Sequence, residues 1–266
     1  MSFGYQVLGF GSSAASRGLE LNITSNTAHA NILSLAQAAG YDESTDETPI
    51  IVNVASGVTV SATNAPALRT GALNANSPLT INVLGTVTGF SSTSPDGTAG
   101  GHGILFEISS GAGTYIVTNS GTVSGGGGAG GAGGAGGAGG SGGSAGARFQ
   151  QYFDKEYKCR GSGYPFHYGS AGSNGSPGAT GSPGADGGLG QAGSQGATGG
   201  SGSPGSSGSL PTQNNPQCAV AVPVGAGSPG SPGSAGSPGG AAGKAVNRGG
   251  LTVTTGGSGT YNGETS

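Results

Sequence analysis

The sequence has no tryptophan and one methionine, and only 7% of its 266 residues carry a charge. Hydrophobic residues make up 32% of the chain, which excludes one large apolar core across its whole length. The net charge is −3, so nothing in the composition indicates electrostatic binding to nucleic acid or to a membrane surface. Two cysteines allow at most one disulfide.

Targeting and catalytic motifs are also missing. The N-terminus has no basic, apolar signal sequence and the chain has no run of about 18 apolar residues, so we expect synthesis without Sec-type export or membrane insertion. The three histidines, His29, His102 and His167, do not occur at metal-ligand spacings. We expect no enzyme, no metal and no cofactor; the enzymatic alternative is a glycosidase using Asp154 and Glu156.

Glycine is what the sequence has in excess, at 63 residues. It occupies every third position from Gly169 to Gly208, and shorter blocks of the same period run from Gly127 to Gly142 and from Gly227 to Gly239. A period of three matches a helix with three residues per turn, and glycine along one face lets another backbone approach closely. The long run has few prolines and one charge, Asp186. This favours a polyglycine II helix bundle over a collagen triple helix, and the strict register argues against a flexible linker.

The stretch from Pro49 to about Gly125 has the texture of β-structure. Its short segments are rich in β-branched residues and end at Gly, Asn, Ser or Pro. They predict a small β-solenoid, with a β-sandwich as the alternative. A further strand-like segment, 251–255, follows the glycine region. We therefore predict that the glycine region is inserted into one β unit and that 251–255 pairs back onto it.

The N-terminal 27 residues show no clear period and are predicted to be irregular or extended. A short helix is predicted from a cap at Asn26 or Thr27 through Gln37, ending at Gly40. The predicted fold class is mostly β and irregular, with one short helix and an inserted polyglycine II bundle carrying display loops. The predicted domains are 1–47 with the helix, 48–120 as the β-rich module, 121–244 as the bundle with loops at 148–168 and 209–224, and 245–266 as the returning strand.

Two chemically distinct stretches interrupt the glycine register. Residues 148–168 hold seven of the fifteen aromatic residues and four of the eight basic ones, and residues 210–224 form the second interruption. They could form a small core that caps the bundle, a recognition surface, or both, since tyrosine is typical of binding surfaces. The candidate binding residues are Phe149, Tyr152, Phe153, Tyr157, Tyr164, Phe166, Tyr168, Gln213 and Asn214.

Each interruption contains one cysteine. Whether the two cysteines can form a disulfide depends on whether the glycine run between them brings both loops to the same end of the bundle. If residues 169–208 cross the bundle an even number of times, both loops lie at the same end. We expect four crossings of about ten residues, each about 30 Å long. The expected turns are Asn174-Gly175, Asp186-Gly187-Gly188 and Gly199-Gly200. A Cys159–Cys218 disulfide would then be within reach, and two unpaired thiols are the alternative.

Glycine triplets interrupted by short, distinct loops, over about Gly121 to Gly243, resemble the tail-fibre tip adhesins of T-even-like bacteriophages. In that family a sandwich of polyglycine II helices displays hypervariable loops at its distal end, and the loops bind outer-membrane proteins of the host. The preceding β-rich half, with its phrase NSGTVSGGGG, resembles segments of other glycine-rich phage tail proteins. Residues 1–27 do not resemble the family's fibre-attachment domain.

The resemblance implies a receptor-binding virion protein, made in the bacterial cytoplasm and carried on the phage tail or fibre tip. Its implied partners are other tail or fibre proteins, bound through the N-terminal region, and a bacterial surface protein or glycan, bound through the candidate residues given above. Nucleic acid is not an expected partner, and homo-oligomerisation stays open. The alternative is a purely structural head, neck or tail component whose glycine helices serve as a stalk.

Overall fold

The computed structural model describes residues 18–93, 97–141, 147–150, 152–153, 159–160, 167–168, 170–209, 219–221 and 226–266. For the short strands within 147–168 and 219–221 it describes the backbone only. Strands dominate, and the described residues include one helix of seven residues. The fold class predicted from the sequence is confirmed: the described part of the chain is mostly β and irregular, with one short helix.

The first part of the chain contains eleven strands and the helix. They are β1 (Leu19–Ile23), β2 (Thr27–Ala28), β3 (Ala30–Asn31), α1 (Ile32–Ala38), β4 (Ile50–Val54), β5 (Thr59–Ser61), β6 (Leu68–Arg69), β7 (Leu79–Val83), β8 (Thr86–Thr88), β9 (Ile104–Leu105), β10 (Tyr115–Asn119) and β11 (Thr122–Ser124). The loop strands are β12 (Ala147–Gln150), β13 (Tyr152–Phe153), β14 (Cys159–Arg160), β15 (His167–Tyr168) and β16 (Ala219–Ala221). The last strands are β17 (Val246–Asn247), β18 (Val253–Gly256) and β19 (Thr260–Asn262).

Fourteen of these strands form a three-sided parallel β-solenoid. Its sheets have the strand orders β1-β4-β7-β10-β18, β19-β11-β8-β5-β2 and β17-β9-β6-β3. The chain visits the three sheets in turn, so each circuit adds one strand to each sheet, as a solenoid requires. Of the two architectures predicted from the β texture, the solenoid is therefore the one that forms.

The solenoid core follows from alternation along the strands of the first sheet. In β4 and β7 every second residue is buried, and the parallel register stacks Val52 on Ile81 and Ile81 on Val117, all fully buried. This stacking of β-branched side chains forms the apolar core of the solenoid, whereas the rest of the chain has too few hydrophobic residues to form one. On the outer face, Asn22, Asn53 and Asn82 stack in register, with side-chain amide hydrogen bonds of 2.9 Å between successive residues.

The glycine region leaves the solenoid after β11 and returns at β17, within a single circuit. The returning strand β18 then pairs in parallel with β10, where Val253 lies opposite Tyr115. Residues 125–244 are therefore an insertion in the fourth circuit rather than a separate C-terminal tail. After β19, Thr265 forms an isolated parallel bridge to Val246 at the edge of the third sheet.

The described part of the insertion consists chiefly of four extended glycine-rich segments, named here PG1 (125–141), PG2 (170–188), PG3 (191–209) and PG4 (226–243). Backbone hydrogen bonds join them laterally at every third residue. PG1 and PG3 run parallel and bond to each other, and PG2 and PG4 each run antiparallel to both and bond to both. This intramolecular, period-three bonding is the arrangement expected of polyglycine II helices, and it does not require other chains as collagen does.

Each lateral contact in the bundle uses one row of glycines. The four segments make five contacts, and a Cβ placed on any row would lie within about 2 Å of a carbonyl oxygen of the neighbouring segment. The representative pairs are Gly133 with Gly181 O at 1.8 Å, Gly134 with Ser234 O at 1.9 Å, Gly181 with Ala197 O at 2.1 Å, Gly196 with Ala132 O at 2.1 Å, and Gly233 with Gly199 O at 2.2 Å. Five contacts need five rows. PG1 supplies two of them, which explains why its repeat is Gly-Gly-Ala.

Two of the predicted turns in the glycine run are wrong, and so is the prediction of four crossings. Residues 170–209 cross the bundle twice, as PG2 and PG3, with one turn between these segments at Leu189 and Gly190. Gly175 and Gly199 lie inside segments, where a Cβ would lie 2.0 Å and 2.1 Å from carbonyl oxygens of a neighbour. Those two glycines are therefore required for close packing of the segments and do not form turns. The number of crossings is still even.

The predicted helix starts too early. Residues 27–31 form β2 and β3, which pair with the second circuit, and α1 begins at Ile32 with Asn31 as its cap. The Asn31 side chain accepts a hydrogen bond from the Ser34 N–H at 3.3 Å. Gly40 follows the helix with φ +94°, which agrees with the predicted end. Leu19–Ile23, within the segment predicted to be irregular or extended, is a strand.

Candidate functional site

Both interruptions of the glycine register begin and end at the same end of the bundle. Residues 142–169 connect PG1 to PG2, and residues 210–225 connect PG3 to PG4. PG1 and PG3 run parallel, and the Ser141 and Ser228 hydroxyls are hydrogen-bonded at 2.8 Å, as Ser170 N–H and the Ser209 hydroxyl are at 3.0 Å. Each segment is about 50 Å long at the polyproline II rise. The loops therefore lie far from the solenoid, at the distal end.

Short antiparallel strands join the two loops in one sheet. The central strand β12 pairs with β15 of its own loop and with β16 of the other loop. Phe149 lies opposite Val220, and Ala147 lies opposite Tyr168. A separate hairpin pairs β13 with β14, placing Phe153 opposite Cys159. The distal end is therefore one composite surface and not two independent loops.

The candidate binding residues divide between described and undescribed positions. Four of them, Phe149, Tyr152, Phe153 and Tyr168, lie on strands of this end. The other five lie outside the described residues: Tyr157, Tyr164, Phe166, Gln213 and Asn214. Cys159 lies on β14, but Cys218 is not described, so the disulfide stays a prediction.

The second candidate surface is the open first circuit of the solenoid. The outer edges of β1, β2 and β3 have no strand partner among the described residues. A cavity of about 460 Å³ lies there, lined by the first circuit and the start of α1. Its lining includes Ile23, Leu35 and His29, whose Nδ1 is buried without a hydrogen-bond partner in the described structure. This edge was not expected from the sequence, because no strand was predicted within residues 1–27.

The bundle is anchored to the solenoid by a loop of the third circuit. Between β8 and β9, residues 97–101 lie against the root of PG1. Ala129 N–H donates to Thr98 O at 2.9 Å, and Gly97 N–H donates to Gly130 O at 3.1 Å. His102 follows this loop, and its Nδ1 accepts a hydrogen bond from the Lys244 N–H at 3.1 Å. Burial, and then the Lys244 charge, lower the pKa of His102. These contacts fix the direction in which the bundle leaves the solenoid.

Among the residues that the structure describes, no group of three His, Cys, Asp or Glu side chains could hold a metal ion. The phenol pKa values of Tyr115 and Tyr261 are raised by burial within the solenoid. The Arg69–Glu107 ion pair joins β6 of the third sheet to the segment that follows β9. Among the described helices, none is long and apolar enough to cross a membrane.

Comparison with known proteins gives the family. The model of the phage tail fibre adhesin Gp38 family matches residues 18–266. The chain belongs to that family. Among solved structures, it is similar to the crystal structure of the gp37-gp38 adhesin tip complex of the bacteriophage S16 long tail fiber, with 17% identity, a TM-score of 0.39, and coverage of 94% of this chain and 82% of that one. No curated protein matches the chain.

Family membership confirms the resemblance drawn from the glycine triplets and their interruptions. Gp38-family proteins are tail fibre adhesins, which are not a class of enzyme, and membership implies a location in the phage tail. The match begins at Gly18, directly before β1, and includes the whole described solenoid and bundle. The period-three glycine segments and the parallel solenoid therefore occur together in one adhesin chain.

Proposed function

We propose that this Gp38-family adhesin is the receptor-binding tip of a phage fibre and binds a bacterial surface molecule through residues 148–168 and 210–224. The observation that carries the proposal is the β12 sheet, which joins the two loops at the free end of a rigid bundle. A stalk without a binding role would not need two chemically distinct loops joined there. The bundle supplies reach and stiffness, and the loops supply aromatic and polar contacts.

The opposite end of the molecule provides attachment to the fibre. We expect the first circuit to dock a neighbouring tail fibre protein, because the outer edge of β1, which has no strand partner among the described residues, can add another strand and the cavity beside it can receive side chains. Residues that alternate along β1, Glu20 and Asn22, are exposed on the outer face of this edge. Receptor binding and attachment are then at opposite ends of the protein.

Substitution of single aromatic residues tests receptor binding. Tyr157→Ala and Phe166→Ala should each reduce adsorption of phage to host cells by at least about tenfold, the effect expected of a buried aromatic anchor. Particle yield and the amount of adhesin per particle should not change. Leu189→Ala is the matched control, because Leu189 is exposed at the base of the bundle. Unchanged adsorption in both loop variants would count against the adhesin role of this loop and favour a structural stalk.

Deletion of the N-terminus tests attachment. Removing residues 1–27, which takes away β1, should abolish incorporation of the adhesin into particles. Replacing residues 151–166 by a glycine-serine linker should leave incorporation intact while abolishing adsorption. Immunoblotting of purified particles measures the first outcome, and cell binding measures the second. Incorporation that survives loss of β1 would place the attachment surface elsewhere.

A further inference from the structure

The stacked asparagines on the outer face of the first sheet form a ladder of hydrogen bonds that has a direction. The Asn53 side-chain amide donates to Asn22 Oδ1 at 2.9 Å, and the Asn82 amide donates to Asn53 Oδ1 at 2.9 Å. The same Asn53 nitrogen also donates to the Glu20 carboxylate at 2.8 Å. Because a carboxylate can only accept hydrogen bonds, Glu20 fixes the Asn53 amide with its NH2 group toward β1. The amides of the ladder therefore donate toward the first circuit.

The ladder ends at Asn22 with donors that are not used. The Asn22 oxygen accepts from Asn53, so its NH2 group is left for the outer edge of β1, where it has no hydrogen-bond partner among the described residues. Asn22 is exposed, so water can satisfy this group in the free protein. A strand that covered the edge would remove that water and would have to supply an acceptor in its place.

The backbone of β1 presents donors and acceptors at the same edge. The Leu19 N–H and the Ile23 C=O form hydrogen bonds with the second circuit, at 2.7 Å and 3.0 Å. Backbone groups alternate in direction along a strand, so those of Glu20 and Asn22 point to the outer edge, which no described strand covers. A docking strand can therefore bond to the backbone and to the side chain of Asn22 together.

Parallel pairing determines what such a strand must present. The strand pairs of the first sheet are parallel and bring like positions of successive circuits together, with Leu21 on Val52 and Asn22 on Asn53. A strand added to β1 in the same way lies about 4.8 Å away, and its residue aligned with Asn22 receives the NH2 group. That residue needs a side-chain oxygen, and apolar residues on either side of it continue the buried row of Leu21 and Ile23.

We infer that Asn22 determines which strand can dock on β1: a strand of a neighbouring tail fibre protein that runs parallel to β1 and carries an amide or carboxylate oxygen opposite Asn22. This inference rests on the attachment proposed above and specifies its chemistry. An apolar residue at that position would bury the Asn22 donors without a partner, which costs more than the hydrogen bond contributes. A second copy docked by its own β1 presents at position 22 the same donor and not an acceptor. The ladder therefore selects among strands that a bare sheet edge would accept equally.

Removal of the Asn22 donor group alone tests the inference. Asn22→Asp keeps the oxygen that accepts from Asn53 and loses the NH2 group, so purified particles in dilute urea should lose adhesin about tenfold faster. Asn22→Ala removes the donors without adding charge and should act in the same direction, whereas Asn22→Gln retains an amide and should behave as the unsubstituted protein does. Thr254→Asp is the charge-matched control, because Thr254 is exposed on β18, at the opposite edge of the same sheet. Immunoblotting of particles measures retention, and thermal unfolding of each purified variant verifies the fold.

The outcomes separate this inference from the proposed attachment. If removal of residues 1–27 abolishes incorporation while Asn22→Asp and Asn22→Ala are retained as Thr254→Asp is, the fibre attaches at this end without extending the ladder, and the inference is wrong. If removal of residues 1–27 leaves incorporation intact, the proposed attachment surface itself is wrong.

Hydrogen exchange of the purified adhesin examines the other occupants that the edge could have. The backbone amides of Glu20 and Asn22 should exchange as rapidly as amides without hydrogen bonds, whereas those of Leu21 and Ile23 should be protected. Protection of Glu20 and Asn22 that disappears when residues 2–17 are removed would overturn the inference in favour of the chain's own N-terminal segment. Protection that increases with protein concentration would overturn it in favour of a second copy.

Discussion

The solenoid and the glycine bundle belong to one chain but are held together in opposite ways. The solenoid stacks fully buried Val52, Ile81 and Val117 in its interior. In the described segments PG1–PG4, Ala129 is the only hydrophobic residue that is buried. The bundle instead brings backbones together, with glycine rows against carbonyl oxygens and lateral N–H to O=C bonds at every third residue.

The difference shows where each region tolerates substitution. Burial of side chains contributes most of the solenoid's stability, so removal of methylene groups is costly there. The bundle depends on the absence of side chains, so addition of a methyl group is costly at its glycine rows, while its exposed rows accept Ser, Ala, Thr or Pro. This accounts for a long, stiff bundle in a chain with too few apolar residues for a second core.

The largest expected effect is from adding a side chain within the bundle. In Gly133→Val the new Cβ would lie 1.8 Å from Gly181 O, and a backbone atom cannot move aside as a side chain can. We expect the variant to lose more than ~3 kcal/mol of stability, at the upper end of overpacking effects. Thermal unfolding and limited proteolysis of the bundle measure this loss.

The control for that variant is on the same segment. Ala135 is exposed on PG1, and Ala135→Val enlarges an exposed side chain without placing a new Cβ in a glycine row. Its unfolding midpoint should remain close to that of the unsubstituted protein. Equal destabilisation by the two variants would mean that β-branching in PG1, and not the glycine contact, is what matters.

Sequence periodicity was sufficient to predict the bundle, because every third residue faces a neighbouring segment and must be glycine. Each glycine row corresponds to one lateral contact. PG1 has two rows because one packs against PG2 and the other against PG4. The number of crossings could not be obtained in this way. Asn174-Gly175 has the composition of a turn, but Gly175 is required by PG3, and only the position of the neighbouring segment reveals that.

The candidate site was predictable in location but not in organisation. The breaks in the register located both loops, and an even number of crossings brought them to one end. The pairing of Phe149 with Val220 joins residues 71 positions apart in the printed sequence, and no local pattern specifies such a register. The first circuit of the solenoid was missed because β2 and β3 are two residues long and depend on pairing with the second circuit.

Removal of methylene groups from the solenoid is the converse experiment. Ile81→Ala should cost about 3 kcal/mol, because Ile81 is fully buried between Val52 and Val117 and the neighbouring circuits cannot close the cavity. Thr80→Ala is the control on the outward face of the same strand and should cost less than about 1 kcal/mol. Chemical denaturation measures both. An Ile81→Ala variant as stable as Thr80→Ala would contradict a core held by side-chain burial.

The smallest expected effect lies where the two regions meet. His102 Nδ1 accepts a hydrogen bond from the Lys244 N–H, at the return of the chain from PG4, and the Asn247 side-chain amide lies 2.9 Å from Nε2. Protonation of Nδ1 removes its capacity to accept this bond. It also places a positive charge in a partly buried site near Lys244.

Acidification should therefore weaken this junction before it affects either interior. Burial first, and the Lys244 charge second, lower the pKa of His102 from its ordinary value of 6.5, so the folded protein binds this proton less readily than the unfolded chain. The neutral form contributes its full stability above pH 6.5, and that contribution declines as the pH falls from 6.5 through the lowered pKa. His102→Gln removes the titration, so its unfolding midpoint should fall less than that of the unsubstituted protein between pH 7.5 and 5.5. The same decrease in both proteins would mean that the junction is not coupled to the protonation of His102.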